Sequence, residues 1–169
     1  MRSDTRVALL SSSILIGGFL FGGWTIGHLS TSPITGTAEV IDGDSLRVNG
    51  RPIRLAGIDA PEWRQKCFDA QEQEYMCGEL ARTRLLEIAG RSIVRCSIIG
   101  RDIYERSLSF CSVAGRDIGE QMISRGLAIA YGTEGWRYRE LESMARRSRI
   151  GIWSGFFDEP RLWRTKRGL

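Results

Sequence analysis

From Val40 to Glu62 the chain reads VIDGDSLRVNGRPIRLAGIDAPE, and this stretch constrains the fold more than any other. Apolar and polar residues alternate on either side of Asp-Gly and Asn-Gly pairs, the period of half-buried strands joined by tight turns. From Thr37 onward the pattern therefore predicts a β-meander. RSIVRCSII and RSLSFCSV, separated by the polar GRDIYE, predict two more strands paired as a hairpin. CGELARTRLLEIAG places Leu80, Leu85, Leu86 and Ile88 near a 3.6-residue period and stops at Gly90, an amphipathic helix with a C′ glycine. DIGEQMISRGLA predicts a second helix capped by Asp117, and YRELESMARRSRIG a third that ends before Gly151. Five short strands with helices after the third and the fifth predict an α+β fold, an OB-type β-barrel with three helices.

That domain is expected over residues 37–169, after a polar linker, STSPITG, over 30–36. Residues 1–29 form a third region. Val7 to Gly27 is a run of 21 residues without a charge, enough for a helix of roughly 30 Å, the thickness of a hydrocarbon core. Arg2 and Arg6 precede it and no Lys or Arg follows until Arg47, which orients the rest of the chain out of the cytoplasm. A cleaved signal segment shares the charged start. The length of the run and the lack of an A-x-A site favour an uncleaved membrane anchor with a periplasmic or extracellular domain.

Four cysteines, an even set, fit the same compartment. Cys96 and Cys111 lie on facing arms of the predicted hairpin, and Cys67 and Cys77 bracket the segment after DAPE, so two local bridges, 67 with 77 and 96 with 111, are expected. A zinc site is disfavoured: no C-x-x-C occurs, and the sole histidine, His28, ends the apolar run.

The formal charge is +4, and of 24 basic residues only Lys66 and Lys166 are lysines. Arginine's planar fork is the better bidentate phosphate ligand, although a GC-rich genome gives the same bias. Arginines recur from Arg137 to Arg167 among Trp153 and Trp163, which reads either as a solvated face with core tryptophans or as a polyanion patch. Two acidic clusters, Asp42 with Asp44 and Asp59 with Glu62, offer oxygen ligands without histidine or thiolate, the chemistry of a hard cation. In an extended strand Asp42 and Asp44 share a face while Arg54 and Asp59 oppose each other; a bulge at Gly57 would reconcile the second pair.

VIDGDSLRV, IRLAGIDAPE and DIYERSL, in this order and spacing, resemble the three-part signature of the staphylococcal-nuclease-like (thermonuclease) family, from about Thr37 to Gly151. The resemblance implies that Asp44, Asp59 and the backbone carbonyl of Ala60 hold Ca²⁺, with Asp42 behind them. Glu62 is then the base that activates water, and Arg54 and Arg106 clamp the scissile phosphate. Tyr104 contacts phosphate, and Tyr131 falls near a nucleotide-packing position, where a core tyrosine fits as well. Two departures stand out. Residue 60 is Ala where the best-known member has Thr, and Glu105 replaces the usual Gly before Arg106, placing a negative charge beside a phosphate clamp. The implied activity is calcium-dependent hydrolysis of DNA and RNA, single-stranded or frayed by preference, with little sequence preference; no protein partner is inferred, and a monomer is the default. A catalytically silent nucleic-acid-binding domain and an accessory role in exopolysaccharide production are the alternatives.

Overall fold

The meander forms as β1 (Ile34–Asp42), β2 (Ser45–Val48) and β3 (Arg51–Leu55), each antiparallel to the next. Asn49 and Gly50, with φ of 51° and 75°, make the tight turn between β2 and β3, both in the left-handed region that a two-residue hairpin needs. The computed structural model describes residues 32–169; the proposed anchor lies outside the described residues. Among the described residues no helix is long and apolar enough to cross a membrane. β1 begins at Ile34, within the stretch read as linker, because Ile34–Thr37 pairs with the start of the second hairpin.

Between the meander and that hairpin lie β4 (Ile58–Asp59), β5 (Cys67–Phe68), β6 (Glu74–Tyr75) and helix α1 (Cys77–Ala89). The hairpin is β7 (Ile93–Arg101) with β8 (Ser107–Val113), and β9 (Arg116–Asp117) extends its edge. The strand order is β3-β2-β1-β7-β8-β9, and a parallel pairing of β3 with β8 joins the ends, so five strands close a barrel. Closure abolishes the exposed edges that an open sheet would carry. β10 (Ile129–Ala130) pairs with β4, and β5 with β6.

The barrel interior takes Leu46, Val48, Ile53 and Leu55 from the meander and Val94, Cys96 and Cys111 from the hairpin. α1 contributes Ala81, Leu85 and Ala89, spaced by four residues on one helical stripe, and α2 (Ile118–Ser124) adds Ile118, Met122 and Ile123. Asp117 caps α2 as expected, accepting a 2.9 Å bond from the Glu120 N–H. α3 (Arg139–Arg147) follows a 3₁₀ turn over Thr133–Tyr138.

Three expectations need correction. Gly90 has φ −67° and bonds back to Leu86 O, so it closes the last turn of α1 in right-handed geometry and is not a left-handed C′ glycine. Leu86 lies on the solvent side of that helix, off the Ala81–Leu85–Ala89 stripe. A fourth helix, α4 (Pro160–Lys166), occupies what the sequence presents as an arginine-rich tail. Seven residues give too few turns for a period to show, but Pro160 at the first helical position is a start signal.

Both disulfides form as expected. Cys96 and Cys111 sit directly opposite in the β7–β8 register, and Cys67 and Cys77 tie the small β5–β6 ribbon to the start of α1.

Candidate active site

The Asp-Gly turn forms where the sequence announces it, at Gly43 and Asp44. β1 ends at Asp42, whose Oδ1 accepts a 2.7 Å bond from the Gly43 N–H, and Asp44 turns inward to become almost fully buried. Asp42 and Asp44 therefore do not share a strand face. A register shift between Val40 and Asp42 lets the chain bend there.

Arg54 projects from β3 and pairs with Asp44; its Nη2 lies 2.7 Å from Asp59 Oδ1. The two residues that would oppose in a regular strand meet because β3 stops at Leu55. Ala56 and Gly57 then make a turn before β4, so the irregularity lies outside the ladder rather than in a bulge. Gly57 is required twice over. Its φ is +78°, and a Cβ would approach the Tyr138 ring to 2.8 Å and Glu134 O to 2.9 Å. Asp44 Oδ2 also accepts the Ala60 N–H at 2.9 Å, which locks the first acidic turn to the second.

Burial alone would lower the Arg54 guanidinium, but the facing Asp44 and Asp59 carboxylates outweigh it and hold the group above its usual range. Asp42 has no such partner. Burial, then the Asp44 carboxylate, push it up to about 7, with Glu62 adding to the effect and the Gly43 N–H opposing it.

Glu62 sits after Pro61, in a loop pressed onto the first turn of α1. A Cβ at Gly78 would come within 1.7 Å of Glu62 O, so only glycine allows that approach. Gln65, fully buried, accepts the Glu62 N–H at 3.2 Å.

Arg106 comes from the other side, at the start of β8. Asp102 holds it by accepting Arg106 Nε at 2.6 Å and the Arg106 backbone N–H at 3.0 Å. Arg106 Nη1 donates at 3.2 Å to Ser45 Oγ, and Ser45 donates at 3.0 Å to Asp44 Oδ1. A hydrogen-bonded chain thus runs Arg106–Ser45–Asp44–Arg54 across the barrel seam. Tyr104, at the exposed hairpin tip, lies under the Arg106 guanidinium, 5.5 Å from its ring centroid. Glu105 adopts φ +62°, which explains why glycine suits this position. Its carboxylate lies 3.7 Å from Arg101, while Arg106 is held by Asp102. Tyr131 is not a core residue: it is 39% exposed, and its N–H bonds to Gly57 O at 2.9 Å.

Asp44, Arg54, Glu62, Arg106, Tyr104 and Tyr131 line one open cleft of about 730 Å³, with Asp59 buried beneath it. Among the described residues no three acidic, histidine or cysteine side chains converge as a ready-made ligand set. The donors that do meet, Asp44 and Asp59 with Ala60 between Asp59 and Glu62, are all oxygen. Asp42, crowded by Asp44 and Glu62, marks an excess of negative charge. A hard cation completed by water fits that donor set.

Ser45, Gln65, Asp102 and Arg164 escaped the sequence reading. Asp102 carried a signal, since an Asp two residues ahead of Tyr104 is the side-chain turn pattern. Arg164 carried none beyond the arginine bias. It reaches from α4 to Asp59 with both terminal nitrogens, at 3.1 and 3.0 Å, and to Glu62 Oε1 at 2.7 Å. The other arginines of its segment are divided. Arg146 and Arg167 stack at 4.0 Å on Trp153 and Trp163, and the Trp163 ring is itself buried.

A closed five-stranded barrel thus presents paired carboxylates and opposed arginine forks in one rim cleft, and a guanidinium fork matches the geometry of a phosphate or carboxylate anion. A family described as Staphylococcal nuclease homologue matches residues 52–155, and the chain belongs to that family. The match leaves Asp42, Asp44 and Arg164 outside its limits. The chain is 34% identical over 127 residues to the succinoglycan biosynthesis protein ExoI of Rhizobium meliloti, covering 73% of this chain and 66% of that one. It is 33% identical over 130 residues to a probable endonuclease LCL3 of Pyricularia oryzae (68% and 49% covered). It is 29% identical over 166 residues to that of Botryotinia fuckeliana (89% and 58% covered). The chain thus spans between about half and two thirds of the length of these relatives.

Proposed function

We propose that the protein is a calcium-dependent nuclease that hydrolyses phosphodiester bonds in DNA and RNA without reading sequence. The observation that carries this reading is the meeting of Asp44, Arg54 and Glu62, from the meander and the loop after it, with Arg106, from the root of the β7–β8 hairpin, around one cleft. Asp44, Asp59 and the Ala60 carbonyl would hold the cation, which when bound supplies positive charge against the phosphate. Arg54 and Arg106 approach from opposite sides of the seam and neutralise charge that grows on the phosphoryl oxygens in the transition state. Glu62 takes the proton of the attacking water. Arginine keeps its protons at any ordinary pH, so Arg106 stabilises charge and does not donate a proton. Tyr104 and Tyr131 flank the cleft as exposed aromatics on which a base or sugar can rest. The endonuclease names of two relatives support the same reading.

Cleavage of single-stranded and duplex DNA and of RNA by the full chain, with calcium and with chelator, tests it. Glu62→Gln should lower turnover by about 10² or more with the fold intact. Full activity in chelator removes the metal from the reading, unchanged turnover in Glu62→Gln removes Glu62 as the base, and binding without cleavage by the wild-type chain leaves a nucleic-acid-binding barrel. The chain is further proposed to act outside the cytoplasm, tethered by residues 7–27; the two disulfides support this, and cell fractionation checks it.

The likeness to a succinoglycan biosynthesis protein favours a second reading, an accessory role in exopolysaccharide production. Polysaccharide yield in a disruption mutant, complemented by wild type or by Glu62→Gln, separates the two roles.

A further inference from the structure

We propose that Arg164 is a positioning residue of this site, which makes the C-terminal helix part of the active centre. The inference rests on the nuclease reading for its kinetic consequence, but not for its cation-binding one. Arg164 lies 105 residues from Asp59 in sequence, yet its fork takes both Asp59 oxygens and Glu62 Oε1. Asp59, with no exposed side-chain surface, is therefore wedged between two guanidiniums, Arg54 from the barrel and Arg164 from the tail. Without Arg164, Asp59 would keep one guanidinium, Arg54, and the Glu62 carboxylate would lose the partner that fixes its direction.

The tail is docked by contacts that do not involve Arg164. The Gln65 side chain accepts the Glu62 N–H and donates Nε2 at 2.6 Å to Asp158 O, two residues before α4. One buried amide thus ties the Glu62 peptide to the start of the helix. Trp163 is buried, and Phe156 exchanges backbone hydrogen bonds with Phe68 at 2.8 and 3.0 Å. α4 consequently holds its place when Arg164 is changed.

A scissile-phosphate clamp is a poorer description of this residue. Both terminal nitrogens of Arg164 engage carboxylates, as do those of Arg54, but whereas Arg54 reaches Asp44 and Asp59, Arg164 touches Glu62, the proposed base. Its effect passes through Glu62 and Asp59, so it should appear in the rate of the chemical step rather than in substrate binding.

The test uses the full chain as Arg164→Met, which keeps the stem, and Arg164→Lys, which keeps the charge without the fork. With an oligodeoxynucleotide and saturating calcium, Arg164→Met should lower kcat tenfold or more and leave KM within about twofold. Arg164→Lys should fall between it and wild type, and methylguanidinium should restore part of the Arg164→Met rate. Calcium titrated calorimetrically without nucleic acid should bind Arg164→Met at least severalfold more tightly, because Asp59 and Glu62 lose a competing cation. A raised KM with unchanged kcat would make Arg164 a substrate clamp and overturn the proposal. Unchanged kcat and unchanged calcium affinity in a folded variant would overturn it too. A wild-type chain that fails to cleave would defeat the nuclease reading alone, and the two calcium affinities would still decide the role of Arg164. Should Arg164→Met not fold, Arg164→Lys carries the same measurements.

Discussion

The two walls of the cleft are built on different principles. On the meander wall Asp44 and Asp59 are buried, Arg54 is partly buried, and each carboxylate is fixed by more than one partner. On the hairpin wall Arg106 hangs at the root of an exposed tip whose Ile103 is 88% exposed, and one residue, Asp102, organises it. The first wall takes its geometry from packing and loses stability when it is cut. The second takes its geometry from a local turn and should lose function while the fold survives.

Asp59→Ala is expected to have the largest effect. It strands two guanidiniums at a buried position, so cleavage should vanish and urea unfolding should show a loss of about 3–5 kcal/mol. Equal stability to wild type would mean that the meander wall is not the rigid one. Arg54→Lys keeps the charge but cannot span Asp44 and Asp59, and its turnover should fall by about 10². Steady-state kinetics beside a melting curve check it.

Asp102→Asn should lower turnover about tenfold through a loosened Arg106, with a stability change of under about 1 kcal/mol. A loss comparable to that of Asp59→Ala would erase the distinction between the walls. Burial favours the protonated form of Asp102, yet Arg106 and the Tyr104 N–H outweigh it and hold the carboxyl below its ordinary 3.8. Its contribution is thus complete above pH 3.8 and fades as pH falls through the depressed value. Amide exchange of residues 102–106 across that acid range should show the tip opening there first. The smallest effect is expected of Glu105→Gly. It should leave turnover within about twofold, because Arg101 already balances the charge, and stabilise by up to about 1 kcal/mol by relieving a positive φ. A large gain in turnover would show that Glu105 restrains the clamp.

The same contrast decides what the sequence discloses. Alternation and Asx-Gly turns announced the meander, and the acidic clusters of Asp42 with Asp44 and Asp59 with Glu62 stood out as oxygen donors, whereas the roles of Arg54, Glu62 and Arg106 came from the family resemblance. Ser45 and Gln65 were not readable. Each acts by bridging elements, and a hydroxyl or an amide in a loop looks the same whether or not a partner from elsewhere arrives. Arg164 is the extreme case: a short helix has no period to read, and its partners lie more than 100 residues away. The shared face expected of Asp42 and Asp44 failed for a different reason, since strand alternation assigns faces only while the chain stays extended.

The parallel seam between β3 and β8 has a consequence for how the molecule comes into being. Arg54 stands opposite Leu108 there, and Ile53 opposite Ser107, so the strand bearing one fork meets the strand that follows the other only at the seam. Both hairpins are local and quick to form, whereas the seam joins segments more than fifty residues apart, the slow kind of contact in folding. A newly made chain can carry finished turns, acids and arginines and still have no place for a phosphate. Under the nuclease reading, the ring that completes the fold also arms the enzyme, and a half-made copy is harmless to the nucleic acid of the cell that makes it.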